Sequence, residues 1–595
     1  VREYSVPASF TIPDDASMAD TIFRHETESP NIVPFQRLIG GTWTDVTASQ
    51  FAKEVKAVAK GLIASGVELG DRVAILSATR YEWVLLDYAI WTAGGCTVAI
   101  YETSSADQAQ WILEDSATSL LILETPAHAE ALKEVTEGAA DLREVLQIDA
   151  GAIDELTTRG AGVSDDDLHA RRHQVTASSP ATLIYTSGTT GRPKGVQLTH
   201  ANFYAEVQAT QLALHDSMKE GNRTLMFLPM AHVFARAVSF GAFEAKVTVG
   251  HTSDVTTLLD QFASFKPDFI LSVPRVFEKV YNSAKEKAYD GGKGGIFDKA
   301  AATAIEWSEA KDKGGPGLLL NIKHTVFDKL VYSKLRAALG GNCDRAVSGG
   351  APLGARLGHF FRGVGIPVYE GYGLTETSAA ITVNTTSEQR IGSVGKPLSG
   401  HAAKIADDGE LLLKGPVVFG GYWHNEKATS ESIIDGWFHT GDLGAIDQDG
   451  YVSITGRKKE IIVTAGGKNV APAVLEDAMR ANALISQCLV VGDAKPFIGA
   501  IITLDPEALP GWKERHGIAE DVPFAELSKN AELIAEIDKA VADANKKVSN
   551  AEQIKKYKIL EQDFTVETGE LTPTMKLKRN IIHQERGAEI ESIYS

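Results

Sequence analysis

YTSGTTGRPKG, residues 185 to 195, alternates hydroxyls with glycines and closes on a lysine. Thr186, Ser187, Thr189 and Thr190 supply the hydroxyls, Gly188, Gly191 and Gly195 the glycines, and Lys194 the cation. Glycines let a backbone approach a ligand closely, so that its N–H groups converge on anionic oxygens. Hydroxyls add donors and lysine a mobile positive charge. The strand-like run Ala181–Tyr185 precedes the stretch and Val196–Thr199 follows it. The spacing therefore predicts a loop that leaves a buried strand to hold a polyphosphate. A Walker A motif is excluded, because Arg192 and Pro193 separate Gly191 from Lys194, and Gly195 stands where a Ser or Thr belongs. A flexible linker is the plain alternative, against which the Pro-Lys-Gly ending argues.

The chain has 595 residues, 44% of them hydrophobic and 23% charged, with a net charge of −19. It is too long for one core, and two or more domains are expected. The acidic balance argues against nucleic acid as a partner. Cys96, Cys343 and Cys488 match no metal spacing and read as reduced core residues of a cytoplasmic protein. The start of the sequence shows no apolar leader, and Trp83–Tyr101 reads as a buried helix running into a strand.

Helical and strand-like stretches alternate through the first 375 residues. Thr47 and Gln50 have the spacing of a capping box ahead of Phe51, Val55, Val58 and Leu62 on one helical face. Strand candidates follow at Arg72–Leu76, Thr224–Leu228, Phe269–Val273, Ala346–Val347 and Pro367–Tyr369. Tyr289–Gly317, rich in Lys, Gly and Ala, reads as a helix-bearing surface insertion. Between Gly392 and Gly456 short strands with Gly-rich turns predict a small β-barrel. After Gly456 a short helix from Pro472, strands at Ile485–Val491 and Phe497–Leu504, and a charged helical region form a separate α+β unit. The fold expected is α/β: a large N-terminal domain of two mainly parallel αβαβα sheets plus the small β-barrel, then a small C-terminal α+β domain.

Four further stretches carry chemistry. YEGYGLTET (369–377) ends a strand in a glycine-rich turn that offers Tyr372 as an aromatic face, Gly373 as turn backbone, and Thr375 and Glu376 as a hydroxyl and a carboxylate. Glu376 beside a polyphosphate suits Mg²⁺. GWFHTGD (436–442) places Asp442 to accept from ribose hydroxyls, and ITGRKK (454–459) places Arg457 after a strand. LTPTMKLKR (571–579) holds Lys576 in a loop. AVSGG, at Ser348–Gly350, nearly matches a nucleophile elbow, and His232 or His439 as base leaves a hydrolase open as the rival from chemistry.

These five stretches, in this order, resemble the adenylate-forming superfamily of acyl-CoA synthetases, adenylation domains and luciferases, over essentially the whole chain. MAHVFAR (230–236), SVPRVFEKV (272–280) and ITGRKKEIIVTAGGKNVAP (454–472) look most like long-chain fatty acyl-CoA synthetases. The resemblance implies a body over residues 1–458, with subdomains near 1–178, 179–375 and 376–458, and a mobile lid over 459–595. It implies ATP, Mg²⁺ and coenzyme A, with Lys194 and the loop hydroxyls on the β- and γ-phosphates and Tyr372 on adenine opposite Gly349 and Gly350. Thr375 would touch the α-phosphate, Glu376 the metal, and Asp442 and Arg457 the ribose. His232 would border the carboxylate and the acyl tunnel, with Val233, Phe234, Val238 and Phe240 as tunnel candidates. Lys459 would be the hinge, Lys576 the lysine brought in for adenylation, and Gly466, Gly467 and Lys468 the segment swung to the coenzyme A channel. The activity implied is conversion of a long-chain fatty acid to acyl-AMP and then to acyl-CoA. An acyl-AMP ligase serving a carrier protein is the alternative, and a non-catalytic acyl or nucleotide binder is argued against by Lys194, Glu376, Asp442 and Lys576 together. A peripheral membrane contact and a homodimer stay open.

Overall fold

The computed structural model describes residues 1–186 and 192–595. Its largest sheet has seven strands. Glu144–Gln147, Leu120–Leu123, Arg72–Leu76, Cys96–Ile100 and Pro180–Thr186 lie side by side and parallel; Lys194–Thr199 and then Gly421–Tyr422 add antiparallel at one edge. Buried on both faces, the parallel strands are near-continuously apolar. The helix Ala48–Ala64 starts at the expected capping box, Thr47 and Gln50 each satisfying the other's backbone N–H. Trp83–Tyr101 is a buried helix, Tyr81–Thr92, followed by the strand Cys96–Ile100.

A second layer joins two sheets edge to edge. One runs Arg223–Met226, Thr248–His251, Phe35–Ile39, Thr42–Val46, and the other Phe269–Ser272, Arg345–Ser348, Val368–Leu374, Ala379–Val383, Lys396–Pro397. They meet where Asp268 N–H donates to Arg223 O (2.8 Å) and Thr224 Oγ1 to Phe269 O (2.9 Å). The barrel-like region is a six-stranded antiparallel sheet whose outer strand, Glu3–Ser5, comes from the other end of the sequence. Register shifts near Glu410 and Leu443 bend it.

The interval Tyr289–Gly317 is not a surface insertion. Its helix, Gly294–Lys311, buries Phe297, Ala300 and Ala304 against the helix Ala355–Val364. The two backbones come so close that a Cβ on Gly363 would lie 2.2 Å from Ala304 O. Small residues serve close helix packing here, where composition alone suggests flexibility.

The C-terminal unit has hydrophobic clusters of its own around the sheet Ile485–Val491, Ile498–Leu504, Ile554–Leu560. Leu475, Met479, Leu533 and Ile537 pack on one face, and Ile582, Ile590 and Ile593 on the other. Among the described residues no helix is long and apolar enough to cross a membrane.

Candidate active site

A cavity of about 2070 Å³ opens at the carboxyl ends of the parallel strands, between the body and the C-terminal unit. At one end Thr186 closes the strand Pro180–Thr186 and Lys194 opens the next one. The Lys194 ammonium sits 4.7 Å over the ring of Tyr422, whose Oη donates to Glu376 Oε1 (2.9 Å). Burial pushes the Glu376 carboxyl above its usual range, against the pull of its own backbone, Tyr422, Lys194 and Arg457. Ser187, Gly188, Thr189, Thr190 and Gly191 lie outside the described residues.

Tyr372 and Asp442 meet further along, the phenol donating to Asp442 Oδ2. Arg457 pairs with Asp442 in sheet register, and its Nε lies 3.5 Å from Asp442 Oδ1. Asp442 is buried and its carboxyl is raised by that burial, opposed by Tyr372, Arg457 and Lys576. Thr375 is buried in the turn after Val368–Leu374, and Gly349 and Gly350 follow the strand Arg345–Ser348 into the cavity wall. Gly373 also lines the cavity, but its lack of a side chain has a local cause: a Cβ there would meet Ala379 O at 1.6 Å. Ser348 is buried with no hydrogen-bond partner for Oγ among the described residues. His232 Nδ1 is taken by the N–H of Phe234 (3.2 Å), and His439 Nδ1 faces Glu410 Oε2 (3.3 Å). Neither histidine is bonded to Ser348, so no hydrolase triad forms.

Lys576 comes into this cavity from the C-terminal unit. It sits in a tight turn in which its N–H donates to Thr572 Oγ1 (3.0 Å) and Thr572 N–H to its carbonyl (2.8 Å). Water reaches the side chain through the open cleft, yet enough protein surrounds it to hold the ammonium down to about 8, chiefly by desolvation and next by Arg457. Asp442, Glu460 and Glu376 pull the other way. The same charge helps burial depress His232 to about 4. One amine therefore senses Asp442, Glu376 and His232 together. Within the unit Arg579 donates to Glu476 Oε2 (2.8 Å) and lies 3.3 Å from Glu460, and Arg515 ties the unit to Asp290 of the body (2.8 Å). Lys459 lines the cavity from the single helical turn Lys458–Glu460. Gly466, Gly467 and Lys468 sit on the exposed turn between Ile462–Val463 and Asn469–Val470, away from the cavity lining.

Residues 23–423 match the model of the AMP-binding enzymes, and residues 459–595 match that of the AMP-binding enzyme C-terminal domain. The chain belongs to the AMP-binding enzyme family. The long-chain-fatty-acid–CoA ligase FadD15 of Mycobacterium tuberculosis is 57% identical over 598 residues, covering 100% of both chains. The ligase ACSBG2 of Xenopus laevis is 31% identical over 93% of this chain and 80% of its own. Among solved structures the anthranilate CoA ligase AuaEII, in complex with anthranoyl-AMP, superposes with a TM-score of 0.73 at 19% identity, over 97% and 98% of the two chains. The O-succinylbenzoate coenzyme A synthetase of Bacillus subtilis, in complex with ATP and magnesium, gives 0.67 at 22% identity, over 94% and 98%. These two share the fold.

In this AMP-binding enzyme the apolar branch differs from the sequence expectation in one residue. Val233, Phe234 and Val238 line it, but Phe240 is core, packed on Trp91 (4.9 Å) and Phe203 (5.1 Å). The opposite wall is a stripe that sequence reading missed: Glu206, Thr210, Leu214 and Met218, four residues apart along the helix His200–Ala213 and the turn after it. Glu206 is 2% exposed, and its Oε2 has no hydrogen-bond partner among the described residues. Burial raises its carboxyl well above the usual range, against a backbone hydrogen bond from Ala380. Tyr422 was missed as well. Its position depends on Gly421–Tyr422 pairing with Val196 and Gln197, and on Trp423 N–H donating to Gly195 O (2.7 Å).

Proposed function

We propose that the chain is an ATP-dependent long-chain fatty acid–CoA ligase, which forms acyl-AMP with release of pyrophosphate and then passes the acyl group to coenzyme A. The observation that carries this reading is the position of Lys576, inside a cavity that has a charged nucleotide end at one side and an apolar branch beyond His232 at the other.

A carboxylate attacks the α-phosphate of ATP already ionised, so the work is positioning and neutralising charge. Lys194 and the hydroxyls of the 186–190 loop hold the β- and γ-phosphates, Thr375 the α-phosphate, and Tyr372 with Gly349 and Gly350 the adenine. Asp442 and Arg457 hold the ribose, for which Tyr372 must release the carboxylate oxygen it occupies. Glu376 fits a hard cation: it is a shielded carboxylate with one phenol donor and a raised affinity for positive charge. Mg²⁺ held by Glu376 would offset charge on the phosphates, as hard cations do when bound through one carboxylate and a nucleotide. Lys576 adds the cation that neutralises the developing charge at the α-phosphate. His232, kept neutral, borders the carboxylate without bringing a competing charge.

For thioester formation the lid, residues 459–595, turns on the body, residues 1–458, about Lys459. That withdraws Lys576 and carries Gly466, Gly467 and Lys468 to the coenzyme A channel. The apolar branch suits a long acyl chain, each buried CH₂ contributing about 0.8 kcal/mol. The three free, buried thiols suit the cytoplasm, where the enzyme meets its acyl substrate through a peripheral membrane contact.

Pyrophosphate release measured across fatty acids of different length, with and without coenzyme A, tests the reading. Thioester formed only when coenzyme A is present, with long chains preferred, is the expected result; release with no fatty acid dependence would overturn it.

A further inference from the structure

The helix beginning at Leu318 continues through a π-helical turn, Asp328–Tyr332, into Ser333–Ala338. One side is packed: His324 stacks on Trp307 (4.1 Å) and its Nε2 meets Gly363 O (2.6 Å), while Tyr332 and Leu335 are buried. The other side is bare. Leu318, Ile322, Val326 and Leu330 recur every fourth residue and Leu319 lies beside them, which places all five on one face of the helix. Leu318 is 76% exposed, Leu319 83%, and the other three about half. Such a stripe is unusual on a free surface.

Its charge surroundings are as distinctive. Between residues 311 and 336 stand Lys311, Lys313, Lys323, Lys329, Lys334 and Arg336 against Asp312 and Asp328, in a chain whose net charge is −19. Both aspartates are occupied, Asp312 by Arg362 (2.8 Å) and Asp328 by Arg336 (2.7 Å). Lys313, Lys323, Lys329 and Lys334 are exposed and form no salt bridge among the described residues. Lys323 and Lys329 flank the stripe on its two sides.

We propose that this lysine-flanked stripe docks on the surface of an anionic lipid bilayer, the apolar residues entering at the headgroup level and the lysines meeting the lipid phosphates. The inference deepens the peripheral contact of the preceding reading by assigning it a surface. A helix with an apolar face bordered by lysines matches an interfacial membrane helix. A second copy of this chain fits less well, because a two-fold contact would set the flanking lysines of one copy against those of the other. Beyond the stripe the same helix ends, at Ser333–Ala338, against Leu258–Phe265, whose Leu258 and Leu259 line the cavity.

Co-sedimentation of the full chain with phosphatidylcholine vesicles, alone or with about one-third phosphatidylglycerol, tests the proposal. Binding is expected only to the anionic vesicles and should weaken with salt. The double variant Leu319→Ser/Ile322→Ser should bind at least about tenfold more weakly. Lys323→Glu/Lys329→Glu should lose about fivefold or more per lysine. Both variants should keep the parent melting temperature and acyl-AMP formation on a short, water-soluble acid. Parent binding that survives unchanged in both variants would overturn the surface while leaving the membrane contact standing. No binding by the parent would overturn both, and a parent dimer that the Leu319→Ser/Ile322→Ser variant dissociates would assign the stripe to self-association instead.

Discussion

Lys576 is held between opposing influences: desolvation and Arg457 drive its proton off, while Asp442, Glu460 and Glu376 retain it. The amine is charged below about pH 8 and loses its charge above. Adenylation needs the cation, so kcat/KM for ATP, which reports the free enzyme, should fall as pH rises through about 8, and Lys576→Arg should move that limb upward. An unshifted limb would assign the titration elsewhere. Lys576→Ala should slow acyl-AMP formation by a hundred- to a thousand-fold, about 3–4 kcal/mol, yet spare conversion of supplied acyl-AMP to thioester. Single-turnover assays of each half separate the two. At this scale the charged end of the cavity was legible, because Lys194, Tyr372, Glu376, Asp442 and Arg457 each sit in a short motif beside a strand end. Glu206 and Tyr422 were not. A lone glutamate on an apolar helix gives no sign that it will be buried, and Tyr422 matters only through an edge strand that pairs more than 200 positions away in sequence.

Elements are tied together by one buried network. Arg236 Nε and Nη2 donate to the two oxygens of Asp87 (3.0 and 2.8 Å), Nη1 donates to Thr182 Oγ1 (2.7 Å), and Thr97 Oγ1 donates to Asp87 (2.7 Å). This pins the helix Val233–Glu244, which begins at His232, to the strand Pro180–Thr186, which ends at the cavity. Removing one member leaves a buried charge alone, so Arg236→Met should destabilise the body by about 3–5 kcal/mol. The double variant Arg236→Met/Asp87→Leu should recover part of that loss. Thermal unfolding of the three proteins checks the order, and equal stability of the single variant and the parent would contradict it. Most strands were readable from apolar runs between turn signals. The edge strand Glu3–Ser5 was not, because nothing local marks a partner near the far end of the body. The helix Gly294–Lys311 was expected, but on the surface, because alanine and glycine suit exposed helices and tight helix crossings equally.

For the molecule as a whole the junction between the body and the C-terminal unit gathers buried carboxyls. Glu278 of the body, beside Arg275 and Arg356, faces Asp477 and Arg480 of the C-terminal unit, and Glu370 faces Asp477. Burial raises Glu370 to about 7, with Asp477 adding to it, and raises Asp477 itself to about 6. The docked state thus holds protons that free carboxyls release near pH 4, and docking should weaken as pH rises from about 6 to 7. Energy transfer between dyes on body and lid should report that decline, which Asp477→Asn should flatten; a flat profile in the parent would contradict it. Lys459→Pro, in the single turn joining the two, should leave adenylation intact and hinder thioester formation by stiffening the pivot. Normal overall turnover in that variant would remove Lys459 from the hinge role. The ion cluster at Arg579 has a consequence for recombining such enzymes. Its two partners, Glu460 and Glu476, both lie beyond Arg457. A chimera whose crossover falls between Arg457 and Lys458 therefore imports the C-terminal unit with this internal cluster complete, and a crossover after Glu460 splits the cluster between two parents. Even the better junction leaves the incoming arginine equivalent to Arg515 dependent on whether the recipient offers an acid at position 290.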